Sequence, residues 1–565
     1  MPPVFSKETK QIFVRNDGHT GQGRTSPCEN KCPLGNPIQK MERAIAEGDP
    51  SFALYLLHAS NPFPGVTGRV CPHPCEEACN RRQYDQALSI RSLERFAADA
   101  GAAGFRRLSS LPPSGKKIAV VGSGPAGLGC AYFSALLGHE VTVFEAAPVA
   151  GGVPRQSIPD FRLPKDVVDR ELGLILDLGV RVLTNTEVGR DVSLRELMER
   201  YDACLLAVGN RKERMLNIPG IERALPAVSF LREANLSRRS LAGKKVAILG
   251  GGGVAFDCAF TARRLGAAQT SLICLESRNA MRVPQAEVAQ ADDESIVLHT
   301  GYLAASLEYG EGNTVCAVTA NAVSSFSFDE KGALRAEFVP DSKLRVEADV
   351  VICASGLMAD LDLLEGEDGV ERTPRGCVKA AHSATSLPGL FAAGECASGP
   401  SLVSAAIAAG RAAAFDIHAW LNGEEAGLPL DVWIDEKGGF VLERPEMKGI
   451  PHEVEFGEIV NITYHAQASR NNTVNLAARD TWLAFEELDK GFAPESAQAE
   501  AERCLHCGHC QACGECVASC PGLILKAGDG APEVAYPDEC WHCGCCRLAC
   551  PGACISFKFP LHTFL

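Results

Sequence analysis

Cys510-x2-Cys513-x2-Cys516-x3-Cys520-Pro521 is followed by Cys540-x2-Cys543-x2-Cys546-x3-Cys550-Pro551, one spacing used twice. Thiolates so spaced hold two [4Fe–4S] clusters: the first three of a run grip one cube, and the fourth crosses to the other. Three close cysteines wrap a corner of the cube, and the proline turns the chain away after the fourth. A disulfide knot and zinc sites are the competing uses of dense cysteine. Zinc would leave an odd four-plus-four partition and has no need of the duplicated Cys-Pro ending. Two clusters are expected, so the chain should handle electrons singly. Twelve of the 25 cysteines lie between Cys504 and Leu565, five precede residue 100, and eight are scattered from 130 to 396. Scattered ones such as Cys130 and Cys258 sit among small residues and are expected to fill core space.

Two glycine-rich turns could hold dinucleotides. Residues 116–121 read as a short apolar strand running into Gly122-Ser123-Gly124-Pro125-Ala126-Gly127, with an Ala- and Leu-rich helix behind. A second strand, Glu140–Phe144, ends in Glu145, 18 residues beyond the last glycine. Strand, G-x-G-x-x-G, helix and distal acid form the dinucleotide fingerprint. The glycines let the backbone reach a pyrophosphate at the helix N-terminus, and Glu145 would hold a ribose. A tight α/β turn without a ligand is the alternative. About 128 residues later, Lys245–Leu249 leads into Gly250-Gly251-Gly252-Gly253-Val254-Ala255, a G-x-G-x-x-A variant, then a helix and a strand ending Cys274-Leu275-Glu276. FAD is expected in the first unit and a nicotinamide nucleotide in the second. Glu276 would hydrogen-bond an adenosine 2′-hydroxyl and repel a 2′-phosphate, favouring NADH. Arg278 and Arg282 stand close enough to restore NADPH, and Glu276 could instead simply face solvent.

Residues 387–395, ending Ala392-Ala393-Gly394-Glu395, precede Gly399-Pro400-Ser401-Leu402-Val403 and an Ala-rich stretch through Gly410-Arg411. Together they resemble the second FAD motif of flavoproteins with two dinucleotide-binding domains. In that motif the acid after Ala-Gly contacts the ribityl chain; it is usually Asp, and here it is Glu395. Segments 205–209, ending in Gly209, and 351–356, ending in Gly356, resemble the crossover strands between the two domains. No Cys-x2-Cys or Cys-x4-Cys flanks these segments, which argues against a dithiol relay. Hydride transfer from nicotinamide to flavin needs alignment and no acid or base from the protein. No catalytic side chain is assigned.

The N-terminal cysteines carry the most specific likeness. Cys28-x3-Cys32-Pro33-Leu34-Gly35-Asn36 and Cys71-Pro72-His73-Pro74-Cys75-x3-Cys79 join Gly151-Gly152-Val153-Pro154, Ile158-Pro159 and Asn185-Thr186-Glu187-Val188-Gly189. Over about residues 25–425 the chain resembles the small (β) subunit of glutamate synthase and its relatives. These include the N-terminal half of dihydropyrimidine dehydrogenase and bifurcating ferredoxin:NADP oxidoreductases. The resemblance implies a helical N-terminal domain that in the family carries two [4Fe–4S] clusters. One uses three Cys and a Gln or Glu, matched by Cys32, Cys71, Cys75 and Glu94. The other uses a Cys-x2-Cys pair and two further Cys; Cys28 and Cys79 match the latter, but no cysteine precedes Cys28. One N-terminal cluster is therefore expected, giving three in all, with Cys28 or Cys79 as the substitute ligand if Glu94 is only a surface helix residue. Residues 500–508 resemble the stretch that bears the missing pair, so Cys504 and Cys507 could meet Cys28 and Cys79 and rebuild a fourth. Otherwise they are spare thiols ahead of the terminal module.

Composition bounds the rest. A chain of 565 residues suggests roughly four domains. Its net charge of −15 argues against a nucleic-acid or anionic-membrane surface. No apolar run reaches spanning length and the N-terminus is polar, so neither membrane insertion nor export is expected. A reducing, cytoplasmic compartment follows from the many cysteines. The fold expected is α/β. A helical N-terminal iron–sulfur domain (1–108) precedes two Rossmann-like domains, with the NAD(P) domain (239–345) inserted in the FAD domain (109–238 and 346–425). A wrapping or linking segment (426–500) and an α+β ferredoxin-like domain (501–565) follow. The expected activity is electron transfer between NAD(P)H and a ferredoxin or larger reductase subunit, in a hetero-oligomer or homodimer. The alternatives are the input subunit of glutamate synthase, a donor subunit for a benzoyl-CoA or sulfite reductase, and direct reduction of a small molecule at the flavin.

Overall fold

The computed structural model describes residues 11–14, 24–105, 107–329, 334–366, 369–425, 427, 431–434, 440–443, 452–474, 484–528 and 531–558. Two parallel sheets form its centre. The first runs in the order Leu390–Ala392, Ala203–Leu206, Lys117–Val121, Glu140–Phe144, Arg181–Leu183. Parallel neighbours need a crossover, and helix Pro125–Leu136 makes the one between Lys117–Val121 and Glu140–Phe144. Ile118, Ala119, Val120, Leu205 and Leu206 are fully buried, which explains why these strands read as unbroken apolar runs.

The second sheet runs Val297–Thr300, Gln269–Cys274, Lys245–Leu249, Val350–Cys353, Leu225–Pro226. The boundaries expected at 238 and 346 need correction. Val350–Cys353 pairs with Lys245–Leu249, and Leu225–Pro226 pairs with Val350–Cys353, so both belong to the second sheet. A four-residue apolar strand carries no local mark of the sheet it will join. An antiparallel sheet of Tyr302–Tyr309, Val315–Phe328 and Leu334–Glu347 covers one face, packing Leu307, Val318 and Val346 against Ala247, Leu249 and Val351.

The N-terminal domain is built from short helices, among them Pro27–Lys31, Ile38–Ala46, Pro50–His58, Pro64–Val70 and Ile90–Ala100. Ser26 and Asp49 cap two of them by accepting from Glu29 N and Phe52 N, each with proline as the first helical residue. Helix Ile38–Ala46 buries Ile38, Met41 and Ile45, and part of its cover comes from the far end of the chain. Helix Pro494–Ala501 sets Ala497 and Ala501 into the core that contains Leu57, Leu93 and Cys28. The described parts of 426–500 lie against other segments of the chain. His452–Glu453 pairs with Arg24–Thr25, Leu488 N donates to Phe161 O at 3.0 Å, and Glu487 binds Arg69 and Arg95 at 2.6 and 3.1 Å. The boundary expected at 501 also shifts, because Cys504 packs in the N-terminal core. Among the described residues, no helix is long and apolar enough to cross a membrane.

Candidate functional site

At Gly122, φ is +102° and a Cβ would stand 2.5 Å from Ala207 O; at Gly127 it would stand 2.0 Å from Gly122 O. These two positions let strand, turn and helix close together. A Cβ on Gly124 would meet nothing within 4 Å, so that side of the turn is open at the N-terminus of helix Pro125–Leu136. Free amides and the helix dipole favour a phosphate there. Gly152, with φ +58°, closes on Gly124 Cα. Glu145 is buried and accepts from Ser123 N at 3.0 Å and Ala147 N at 2.7 Å. A cavity of about 390 Å³ runs along Gly122, Phe144, Glu145, Thr186 and Val188, which fits the adenosine half of FAD. Gly394 has φ +74°, and Glu395 accepts Ser401 N at 3.0 Å, closing the turn before helix Val403–Leu421. Burial pushes the Glu395 carboxyl up. That helix lies tight against Pro125–Leu136, because a Cβ on Gly410 would stand 2.0 Å from Ala126 O.

The second turn repeats this design. Gly250, φ +140°, closes on Ala354 O, while Gly252 and Gly253 face open space beside exposed Val254. Glu276 lies against the turn: a Cβ on Gly251 would stand 2.8 Å from its Oε2. Arg278 turns to Asp292, and Arg282 is exposed. Gly209 and Gly356 adopt φ +65° and +117° where the chain leaves the two sheets. Between the two cradles Arg162 bridges Asp257 on helix Gly253–Arg264 (2.8 Å) and Glu287 on helix Gln285–Asp293 (2.7 Å).

Cys32, Cys71, Cys75 and Glu94 line one void with Met41, Ile90 and Ser404. Glu94 Oε1 accepts from Thr67 Oγ1 (2.7 Å), Asn61 Nδ2 (3.0 Å) and Asn36 Nδ2 (3.2 Å). All three reach the same oxygen, which leaves Oε2 as the carboxylate's available donor atom. Burial pushes the Glu94 carboxyl up to about 7 and the Cys32 thiol up to about 11. Iron, which takes the deprotonated forms, would offset that cost. The donor set fits a cluster. Its flank is the flavin domain: Cys71 Sγ lies 3.7 Å from Ser404 Oγ, and Arg411 Nη1 donates to Ser60 O at 3.0 Å, both from helix Val403–Leu421.

In the terminal module, Cys510, Cys513, Cys516 and Cys550 line a second void. Cys550 comes from the other run. Cys546 is pushed up to about 11, chiefly by burial and then by the adjoining Cys520, Cys540 and Cys543. Several residues at these sites escaped sequence reading. Asn61, Thr67 and Ser404 come from separate segments and bear no shared motif, and Asn36, though within the stretch from Cys28 to Asn36, was given no role. Cys554, outside the repeated spacing, lines the second void and holds the Cys550 thiol down to about 6 by hydrogen bonding.

Residues 116–410 match the pyridine nucleotide-disulphide oxidoreductase family model, and residues 19–104 match dihydropyrimidine dehydrogenase domain II, 4Fe-4S cluster. The chain belongs to the pyridine nucleotide-disulphide oxidoreductase family. Within it, the chain is 35% identical to the β subunit of NADP(+)-dependent formate dehydrogenase from Moorella thermoacetica, over 90% of this chain and 72% of that one. It is 32% identical to the NADPH-Fe(3+) oxidoreductase β subunit of Geobacter sulfurreducens, over 86% and 75%. It is 34% identical to the glutamate synthase [NADPH] small chain of Escherichia coli, over 70% and 88%. The expected resemblance therefore holds, and the protein is an NAD(P)H-dependent flavin and iron–sulfur oxidoreductase.

Proposed function

We propose that this protein carries electrons between a nicotinamide nucleotide and a protein partner, either a ferredoxin or a larger reductase subunit. When bound, FAD takes hydride from nicotinamide and [4Fe–4S] clusters pass electrons on singly. The observation that carries this reading is the seam at helix Val403–Leu421, which borders the flavin cradle at Gly410 and the Cys32–Cys71–Cys75–Glu94 void at Ser404. Those four residues would hold one cluster. Cys510, Cys513, Cys516 and Cys550 would hold a second, and Cys540, Cys543, Cys546 and Cys520 a third. Gly122, Gly124 and Gly127 receive the FAD pyrophosphate, with Pro125 and Ala126 opening the helix behind it. Arg162 holds the two dinucleotide domains in one orientation, which hydride transfer requires. The three similar proteins named above are subunits, which supports a partner protein.

Glu276, set against its glycine turn, favours NADH. NADPH is the second reading, supported by the coenzyme in the relatives' names. Steady-state oxidation of both coenzymes with methyl viologen or a ferredoxin, against a panel of small organic acceptors, tests both points. One-electron acceptors should turn over, with NADH preferred. Glu276→Gln should narrow that preference about tenfold, or about 1.4 kcal/mol. Turnover with a small organic acceptor alone would overturn the electron-transfer reading. A preference for NADPH would overturn the coenzyme assignment.

A further inference from the structure

Three Cys-x2-Cys-Gly segments share one backbone form. In Cys504-Leu505-His506-Cys507-Gly508, His506 has φ +47°, its N–H donates to Cys504 Sγ at 3.4 Å, and Gly508 has φ +74°. In Cys510–Gly514, Ala512 has φ +57°, its N–H donates to Cys510 Sγ at 3.4 Å, and Gly514 has φ +79°. In Cys540–Gly544, His542 has φ +54°, its N–H donates to Cys540 Sγ at 3.4 Å, and Gly544 has φ +79°. A non-glycine residue in the left-handed region is sterically strained. Accepting that strain at the same place three times points to a shared purpose, which is to present two sulfurs from one tight hook. Two of the hooks open the paired cysteine runs. The third lies outside those runs, with Cys504 in the N-terminal core beside Cys28, Cys75 and Cys79.

We propose that Cys28, Cys79, Cys504 and Cys507 hold a further [4Fe–4S] cluster, with two ligands from each end of the chain. Cys28 lies within electrostatic reach of Cys79 and Cys504, and Cys507 within reach of Cys79. Asn80 Nδ2 stands 3.4 Å from Cys507 Sγ, and Gln39 Nε2 fixes the hook by donating to Cys507 O at 2.7 Å. Glu42, fully buried beside Cys504, has an oxygen without a hydrogen-bond partner. Three buried thiols, a fourth partly buried and an orphaned carboxyl oxygen do not make an ordinary apolar core. Among the described residues, no three His, Cys, Asp or Glu converge on a single metal ion. The two paired runs give the same result.

The site stands independently of the electron-transfer reading. Full-length protein, reconstituted anaerobically, should carry about sixteen iron atoms per chain, four for each cluster. Cys504→Ser/Cys507→Ser should carry about twelve and lose one signal from the electron paramagnetic resonance spectrum of the reduced protein, with flavin content unchanged. Cys79→Ser, at the other end of the chain, should remove the same signal, whereas Cys545→Ser should keep all of them. Should the double variant lose flavin through misfolding, Cys79→Ser alone decides. Undiminished iron with every signal retained in the hook variant or in Cys79→Ser overturns the proposal. If iron falls as expected but NADH fails to reduce one-electron acceptors, the site stands and the functional reading fails.

Discussion

At Glu94, donors from three segments converge on one carboxyl oxygen and leave the other to the void it shares with Cys32, Cys71 and Cys75. An anionic oxygen ligand should hold a cluster's reduction potential below that of a neutral oxygen ligand, through the cluster's net charge. Glu94→Gln should therefore raise the midpoint of that cluster in a redox titration followed by electron paramagnetic resonance, with iron content unchanged. An unmoved midpoint would remove Glu94 from the ligand set. Such a residue is legible only through its distance from the cysteines. Asn36, Asn61 and Thr67, which hold it, were beyond sequence reading because their meeting point exists only after three chain segments pack. The glycines of the two turns were legible for the opposite reason: their demands are local, set by neighbours within one turn.

At the scale of elements, the nicotinamide domain is pinned by an ion pair. Arg264 ends helix Gly253–Arg264 and binds Glu294, at the end of helix Gln285–Asp293, through two bonds of 2.8 and 2.9 Å, both side chains excluded from solvent. The guanidinium also stacks on Phe161, 4.0 Å from the ring centre. Removing one member strands the other charge in the core. Glu294→Ala should cost about 3–5 kcal/mol, visible as a lower melting temperature, while flavin content is retained in the surviving folded fraction. A fall of under 1 kcal/mol would show that water reaches the site. Neither partner announced itself, since an Arg and a Glu 30 positions apart look like any other surface charges. Strand Val350–Cys353 was likewise visible as a strand but not as part of the second sheet. Residues 426–500 carried no periodic pattern because their described parts attach through scattered apolar anchors such as Val454, Ile459 and Ala497, together with hydrogen bonds and ion pairs, rather than through one apolar stripe.

At the scale of the molecule, domains are joined by buried polar ties. Glu171, on helix Lys165–Leu176 of the flavin domain, accepts the N–H groups of Gly65 and Val66 at the start of helix Pro64–Val70. Burial pushes its carboxyl up to about 8. The folded state thus holds the proton more tightly than the unfolded chain, so this contribution is full in acid. It is lost as pH rises from the ordinary carboxyl range through about 8. Glu171→Gln should flatten the fall in melting temperature between pH 6 and pH 9 (about one unit on the alkaline side of the folded value). An equally steep fall in the variant would place the cause elsewhere. A second test concerns the tail. A chain ending at residue 489 loses helix Pro494–Ala501 and the Cys504 hook, and with them the cover of helix Ile38–Ala46. Iron should then fall below the about four atoms that one intact N-terminal cluster retains. Retention of those four would mark the tail as a mere appendage.

The interlacing of the two chain ends also sets a timetable for biosynthesis. Cys28 and Cys79 leave the ribosome more than 400 residues before Cys504 and Cys507 are made. At typical translation speeds the wait lasts on the order of tens of seconds. Throughout it, Ile38, Met41 and Ile45 lack the helix that will help cover them. The N-terminal core is thus completed only after the segment bearing Cys504 has been made, and under the proposed ligand set its further cluster would load no earlier.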